Sequence, residues 1–323
     1  MTLSFANKKE LKFIITLGSP TPAGVSSTVI GSTATSVSLG SKATPAVPAQ
    51  QIVLQGYRAS AKIDKAGGMT MGHLNAQIYG VSQSDMNACV TYPYQPQRLL
   101  QGGVKLNTVQ VFAIDGDQET LVFSGFIYIA WGVYQNQPDV FLYINATSTA
   151  VAQLSPVLPT SYDGPIDVAV AMGQLANQMG LSALENNGVN GVILRNQYLA
   201  GSALDKARKL AQAAGIWMFI DLGLMAITQA FQARIKPTAV VSAQTGMIGY
   251  PTFDSLGVHV KSLFNPAVVF GGQIQIVSTI PQANRTLLAA SIAYDLESEK
   301  PGGAWFMTII ANPTGVVLAP SGI

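Results

Sequence analysis

The hydrophobic pattern of the first half of the chain has a period of two. Residues 11–17 (LKFIITL) predict an opening strand, and residues 51–63 (QIVLQGYRASAKI) resume the same texture. Between Met71 and Tyr79, Leu74, Ala76 and Ile78 alternate with His73, Asn75 and Gln77, which predicts a strand with one face buried. Ser82 to Ala88 reads as a short helix, with Ser82 placed to cap it and Asp85 at capping-box spacing. Val104–Ile114, Leu121–Tyr134 and Asp139–Ala146 predict three more strands, an antiparallel meander. Asp115-Gly116 is a strong hairpin signal between the first two, and Gln135–Pro138 turns between the second and third. Phe126, Ile127, Tyr128 and Ile129 run apolar on both faces, so both faces are expected to be covered, by a barrel or by other chains.

The texture changes near residue 155. Pro156, Pro159 and Pro165 interrupt the strand pattern, and Pro165 suits the first turn of a helix. Ile166, Ala169, Val170, Leu175, Ala176 and Met179 then recur at a helical period that stops at Gly180. Gly188 and Gly191 turn into a short strand, Val192–Leu194. A second helix opens at Ser202 with Asp205 three residues on, lines one face with Leu204, Ala207, Ala211 and Ala214, and closes at Gly215. Ile216–Ile220 and Leu224–Thr228 predict a hairpin across Asp221–Gly223. From about 237 the strands return as Val258–Leu263, Gln273–Ser278, Thr286–Leu296 and Ala304–Ala311, with turns at Phe264-Asn265-Pro266, Gly271-Gly272 and Pro301-Gly302-Gly303. The expected class is mainly β, with two β regions around a small α+β module. The expected divisions are 1–150, 151–235 and 236–323. Gly18 to Gln50 stands apart, rich in Ser, Thr, Pro, Ala and Gly with Lys42 its one charge, and predicts an extended loop or arm.

Composition narrows the function. Charged residues are 11% of 323, hydrophobic residues 48%, and the net charge is +2. An ordinary soluble domain carries roughly 25% charge. Disorder needs the opposite balance, one cysteine (Cys89) cannot build a disulfide framework, and +2 is no footprint for sequence-specific nucleic-acid binding. The most apolar stretch, Gly215–Ile227, is broken by Asp221 and is short of a spanning helix. Phe13–Leu17 is too short for a signal-peptide core, so a cytoplasmically made chain is expected. So thin a cover of charge predicts a surface wetted by Ser, Thr, Asn and Gln and partly buried against other chains.

Candidate chemistry is sparse. His73 and His259 have no metal-ligand spacing, and Cys89 reads as an inert buried thiol. No GxSxG elbow supports a hydrolase triad. Asp115 and Asp117 are better explained by a hairpin turn than by a metal loop, and Asp295, Glu297 and Glu299 by a solvated strand end than by paired catalytic carboxylates. The pairs Gly67-Gly68, Gly102-Gly103, Gly271-Gly272 and Gly302-Gly303 fit turns and match no phosphate-binding motif. Neither catalysis nor a cofactor is expected; a structural protein is.

Several segments resemble the baseplate hub proteins of tailed bacteriophages, Mu-like ones included. Residues 52–88 carry a strand, the Gly67-Gly68 turn, a second strand ending in Ile78-Tyr79-Gly80, and a helix capped by Ser82. The stretch 160–220 is similar to the helical module of hubs, and 245–272, with Phe264, Asn265, Pro266, Gly271 and Gly272, to their second β region. The ending LESEKPGGAWFM fits as well, while Gly18–Gln50 has no counterpart. The resemblance implies two tail-tube-like antiparallel β-barrel domains flanking or interleaved with the module. It also implies a homotrimeric ring in the virion that joins a six-fold tail tube to a three-fold spike and forms part of the DNA ejection conduit. The implied partners are the tail tube, spike and tape measure proteins, other baseplate proteins, and DNA passing non-specifically through the lumen. The competing readings are a tail tube protein, a secretion-spike hub, a tail-associated cell-wall hydrolase and a receptor-binding tail protein.

Overall fold

A computed structural model of the chain describes residues 8–18, 50–66, 72–90, 106–135, 137–148 and 157–312. The predicted arm at 18–50, apart from its two ends, and the turn residues Gly67, Gly68, Gly102 and Gly103 lie outside the described residues.

The first β region contains β1 (Lys9–Thr16), β2 (Gln51–Gln55), β3 (Ala59–Lys65), β4 (His73–Tyr79), helix α1 (Gln83–Cys89), β5 (Thr108–Asp115), β6 (Gln118–Val133) and β7 (Phe141–Thr147). Strand order is β3-β4-β7-β6-β5-β1-β2. The alternation behaves as expected: Leu11, Phe13 and Ile15 of β1 and Leu74, Ala76 and Ile78 of β4 all face inward and are buried. Each large apolar side chain so buried contributes about 1.5–3 kcal/mol. The run 51–63 is two strands, not one. Gly56, at φ +77°, bends the chain so that β2 pairs with β1 while β3 crosses to pair with β4. Asp115 is still in the ladder, opposite Gln118, and the hairpin turns on Gly116 and Asp117.

The module comprises β8 (Thr160–Asp167), α2 (Val168–Gln178), β9 (Leu184–Asn187), β10 (Ile193–Leu199), α3 (Ala203–Ala214), β11 (Ile216–Asp221) and β12 (Leu224–Gln229). It has its own buried core, in which Met172 and Leu175 of α2 meet Leu204 and Leu210 of α3 and Met218 and Ile227 of the sheet. Ser202 and Asp205 form the expected capping box. Pro165 does not start a helix. It lies in β8 opposite Arg195, and α2 begins at Val168, with the Asp167 carboxylate accepting from Ala169 N at 2.8 Å and Val170 N at 3.3 Å. The two-stranded β8–β10 ribbon leaves β8 an edge strand, where a residue without an N–H is tolerated. Lys206, on the inner face of α3, is fully buried and donates to Thr160 Oγ1 at 3.0 Å, tying the start of β8 to the helix.

The second β region holds β13 (Ala239–Ser242), β14 (Met247–Asp254), β15 (Gly257–Leu263), β16 (Gln273–Val277), β17 (Thr286–Ser298) and β18 (Trp305–Asn312). β17 is the hinge of the architecture. Its first residues pair with β16; after a register shift between Ala289 and Ser291, its second half pairs with β3. That pairing fuses the two regions into one 13-stranded sheet whose main path ends at β14 on one side and β2 on the other. β1, far from β17 along this path, nevertheless packs against it, so the first region curves back on itself. The described strands close no barrel by backbone pairing. The fold is mainly antiparallel β with an inserted α+β module.

Candidate functional site

The turn and cap residues singled out in the sequence do not converge on one site. Ile78 is in the core, and Tyr79 closes β4 with its ring 5.1 Å from that of Phe141 and under the Arg58 guanidinium at 4.5 Å. Gly80, at φ +79°, leads to Ser82, whose Oγ accepts from Asp85 N at 3.1 Å. In the second β region Phe264 is buried between Tyr294 and Trp305, with ring centroids at 5.7 and 6.0 Å. Asn265 Oδ1 turns the chain at Pro266 by accepting from Ala267 N at 3.0 Å. Gly271 and Gly272 belong to a third place, the joint of the module with the sheet. Gly67 and Gly68 lie outside the described residues.

That joint is ionic. Arg234 is 4% exposed and grips Glu185 of β9 with Nε at 2.9 Å and Nη2 at 2.8 Å, while its Nη1 donates to Phe270 O at 3.0 Å. Asp221, at the end of β11, lies 3.9 Å from Arg234 Nη1 and 2.8 Å from Lys65 Nζ of β3. Lys236 adds a third contact to Glu185 at 3.0 Å, and Asn187 Oδ1 accepts from Ile235 N at 2.8 Å. The hydrogen bonds from Arg234 hold the Glu185 carboxyl down to about 2. Module, linker and both β regions therefore meet at one charge cluster. Phe219 packs edge-on against Phe270 at 5.4 Å beside it. Gly271 is required here for two reasons. Its φ is +76°, and a Cβ would stand 3.1 Å from both Arg234 Cδ and Phe219 Cε1. Sequence reading passed over this cluster. The one available signal is that Lys65 falls in phase with Ala59, Ala61 and Ile63, the inward face of β3.

A second feature is a cleft of about 460 Å³ where the two β regions face each other. Lys8, Lys9 and Asp115 line it from the first region, and Phe264, Glu297, Glu299, Lys300, Trp305 and Phe306 from the second. Two of the three carboxylates read as a solvated strand end, Glu297 and Glu299, are in use, while Asp295 is exposed. Glu297 accepts from Lys300 Nζ at 2.7 Å and Ala304 N at 2.9 Å, Glu299 pairs with Lys8 at 2.6 Å, and Asp115 pairs with Lys9. Trp305 Nε1 and Asp115 Oδ1 are withdrawn from water and have no hydrogen-bond partner among the described residues.

Burial pushes the Cys89 thiol up to about 12, far from a nucleophile. Among the described residues no cluster of His, Cys, Asp and Glu is arranged to hold a metal, and no helix is long and apolar enough to cross a membrane. The outer surface offers apolar groups: Ile248, Tyr250 and Phe253 on β14, Ile193 and Tyr198 on β10, and Leu158 and Ile235 at the ends of the module.

A family model described as baseplate hub gp41 matches residues 36–308. No curated protein matches the chain. Among solved structures the fold is similar to the tail protein from Neisseria meningitidis MC58, at 9% identity over 82% of this chain and 94% of that one, TM-score 0.57. It is also similar to the 43 kDa tail protein of prophage MuSo2 from Shewanella oneidensis, at 10% identity over 81% and 95%, TM-score 0.53. A third likeness, at 10% identity over 80% and 73% with TM-score 0.52, is to the E. coli c3393 protein, described as a type VI secretion component structurally similar to the T4 bacteriophage tail proteins gp27 and gp5. At these identities the likeness is one of fold.

Proposed function

The chain belongs to the baseplate hub gp41 family, and from that premise we propose that it assembles as a homotrimeric ring joining a six-fold tail tube to a three-fold spike. The observation that carries the reading is the β17–β3 pairing, which sets two antiparallel β regions side by side in one chain. Three copies then present six β regions, the number a six-fold tube needs, while the ring keeps the symmetry of the spike. The divisions 1–150, 151–235 and 236–323 correspond in this reading to two tube-like regions and a connecting module. Tube, spike, tape measure and other baseplate proteins are the partners, and the virion is the location.

The role is structural. A chain of net charge +2 does not hold phosphate strongly, which suits a lumen through which DNA passes without arrest. Obligate interfaces are large and apolar, and the exposed tyrosines and phenylalanine of β10 and β14 supply such surface.

The test is the mass of the purified full chain, alone and mixed with the tube and spike proteins of its own tail, together with negative-stain class averages. The expected result is a particle of three times 33.9 kDa with a central hole and a pseudo-six-fold outline. A chain that stays monomeric both alone and with those partners overturns the proposal.

A further inference from the structure

The main sheet contains one four-stranded pattern twice. Across the sheet, β3, β4, β7 and β6 stand as the first, second, fourth and third of their group in chain order, and β14, β15, β18 and β17 stand in that same order. Every neighbouring pair along this path is antiparallel. β6 and β17 therefore correspond. Each begins by pairing with an outer strand, β5 or β16, and each has a register shift, between Ile127 and Ile129 in one and between Ala289 and Ser291 in the other. Beyond its shift β17 turns the vacated edge to β3. Beyond its own shift β6 pairs only with β7. Ile127 N donates to Asn107 O at 2.8 Å, and among the described residues no strand continues that edge over 128–133. We propose that this edge of β6 pairs with the open edge of β14 in a second copy of the chain, repeating between copies the joint that β17 and β3 make within one. The inference names an interface of the proposed ring and rests on that reading for the number of copies.

The correspondence sets the register. Aligned on the two shifts, Gly132 and Val133 of β6 match Tyr294 and Asp295 of β17. Carried through the neighbouring pairs, Thr252 and Phe253 of β14 match Lys62 and Ile63 of β3. Within the chain Tyr294 faces Ile63 and Asp295 faces Lys62. Between copies, Gly132 then faces Phe253 and Val133 faces Thr252. The side chains suit this placement. Ile63 is fully buried, whereas Phe253, which shares its face with the buried Val258, is 51% exposed. A glycine opposite gives that ring a place to lie on the neighbouring strand. Trp131 and Tyr134 stand exposed along the other edge. Open edges with exposed apolar side chains are templates for further pairing. Direction agrees as well. The eight strands from β14 to β6 alternate, so β6 meets β14 of the next copy antiparallel, like every other pair on the path. Because the two edges differ, the contact is heterologous and repeats around a ring.

The experiment uses the full chain carrying Val133→Cys and Thr252→Cys together, and each change singly, under mild oxidation, alone and mixed with the purified tube and spike proteins of the same tail. Directly opposed residues of an antiparallel pair have Cα atoms about 4.5–5.5 Å apart, within reach of a disulfide. The native Cys89 is buried. The expected result is a covalent ladder ending at the trimer for the double variant and no crosslink for either single variant, because neither position meets itself. Backbone hydrogen exchange on the parent gives a second reading, and it decides alone if the cysteine variants fold poorly: exchange over 128–133 and 247–254 should slow together on assembly. Three outcomes overturn the edge pairing and leave the hub reading intact: trimers whose double variant stays uncrosslinked, single variants that crosslink by themselves, or exchange at the two edges unchanged by assembly, as cover by another segment of the same copy would leave it. A parent chain that stays monomeric both alone and with those partners overturns both.

Discussion

Replacing Arg234 with methionine tests whether charge or apolar packing holds the module to the sheet. Methionine nearly conserves volume, so the change removes the guanidinium with little cavity. Arg234 is 4% exposed and makes three hydrogen bonds of 2.8–3.0 Å, two to the Glu185 carboxylate and one to Phe270 O. Its loss removes the donor to Phe270 O and leaves Glu185 with the more exposed Lys236 and the Asn187 side-chain amide at 3.1 Å. Breaking a buried pair from one side costs about 3–5 kcal/mol. Lys236 offsets part of this, so the lower end, about 3 kcal/mol, is expected. In a chain of this length that is a fall in Tm on the order of 5–10 °C. Urea unfolding of Arg234→Met, Glu185→Leu and the double variant supplies the double-mutant cycle. Taking out both charges together is expected to cost less than the sum of the single losses, because no uncompensated carboxylate remains. An Arg234→Met chain within 1 kcal/mol of the parent, or a double variant at least as unstable as that sum, refutes the ionic joint; the Phe219–Phe270 contact would then be the real fastening.

Three further outcomes follow from the same geometry. Gly271→Ala meets a left-handed backbone and two close neighbours, so it should cost about 2–3 kcal/mol, against about 1 kcal/mol for Gly180→Ala, whose φ is +74° with nothing near the new Cβ; equal losses in urea titrations would discount the close approach. The Glu185 carboxyl is held below its unfolded value, so its stabilisation is present above about pH 4.5 and is lost as pH falls toward 2; the Tm gap between parent and Glu185→Gln should close over that window, and a constant gap would contradict the assignment. Cys89, fully buried with its thiol pushed up to about 12, should resist alkylation at pH 8 until the chain is denatured; prompt labelling of the native chain would show that α1 opens.

What the sequence revealed and what it hid divide along physical lines. β1 and β4 were legible because each buries a single face, and a buried face forces alternation. α3 was legible because its cap, apolar stripe and terminating Gly215 agree. β14 was hidden: Gly249 and Pro251 interrupt it, its register slips between Ile248 and Thr252, and most of its positions are exposed, so no period marks it. β8 was hidden by Gly164 and Pro165, which signal a break in general but are tolerated in an edge strand. β9 is four residues paired in parallel with β12, too short to show any period. The ionic joint was half legible. Lys65 announces itself as a charge on an inward face, but its partner Asp221 is in the module, and no local pattern names a partner so distant in sequence. The cleft carboxylates were visible and undervalued, because hairpin-end polarity and a structural ion pair look the same along the chain.

The scarcity of charge takes on a different meaning once the charges are placed. Glu185, Asp221, Arg234, Lys65 and Lys236 are committed to the joint, and the lysines and carboxylates of the cleft to one another. Apolar side chains also stand on the outside, among them Tyr250 and Phe253 on β14 at one end of the main sheet and Ile193 and Tyr198 on the β8–β10 ribbon of the module. Two unlike patches on one chain are the requirement for a heterologous contact, in which one patch meets the other on the next copy and rotation closes a ring. A two-fold dimer would need only one self-complementary patch. The ring proposed for this chain would use both patches, each against a different neighbour.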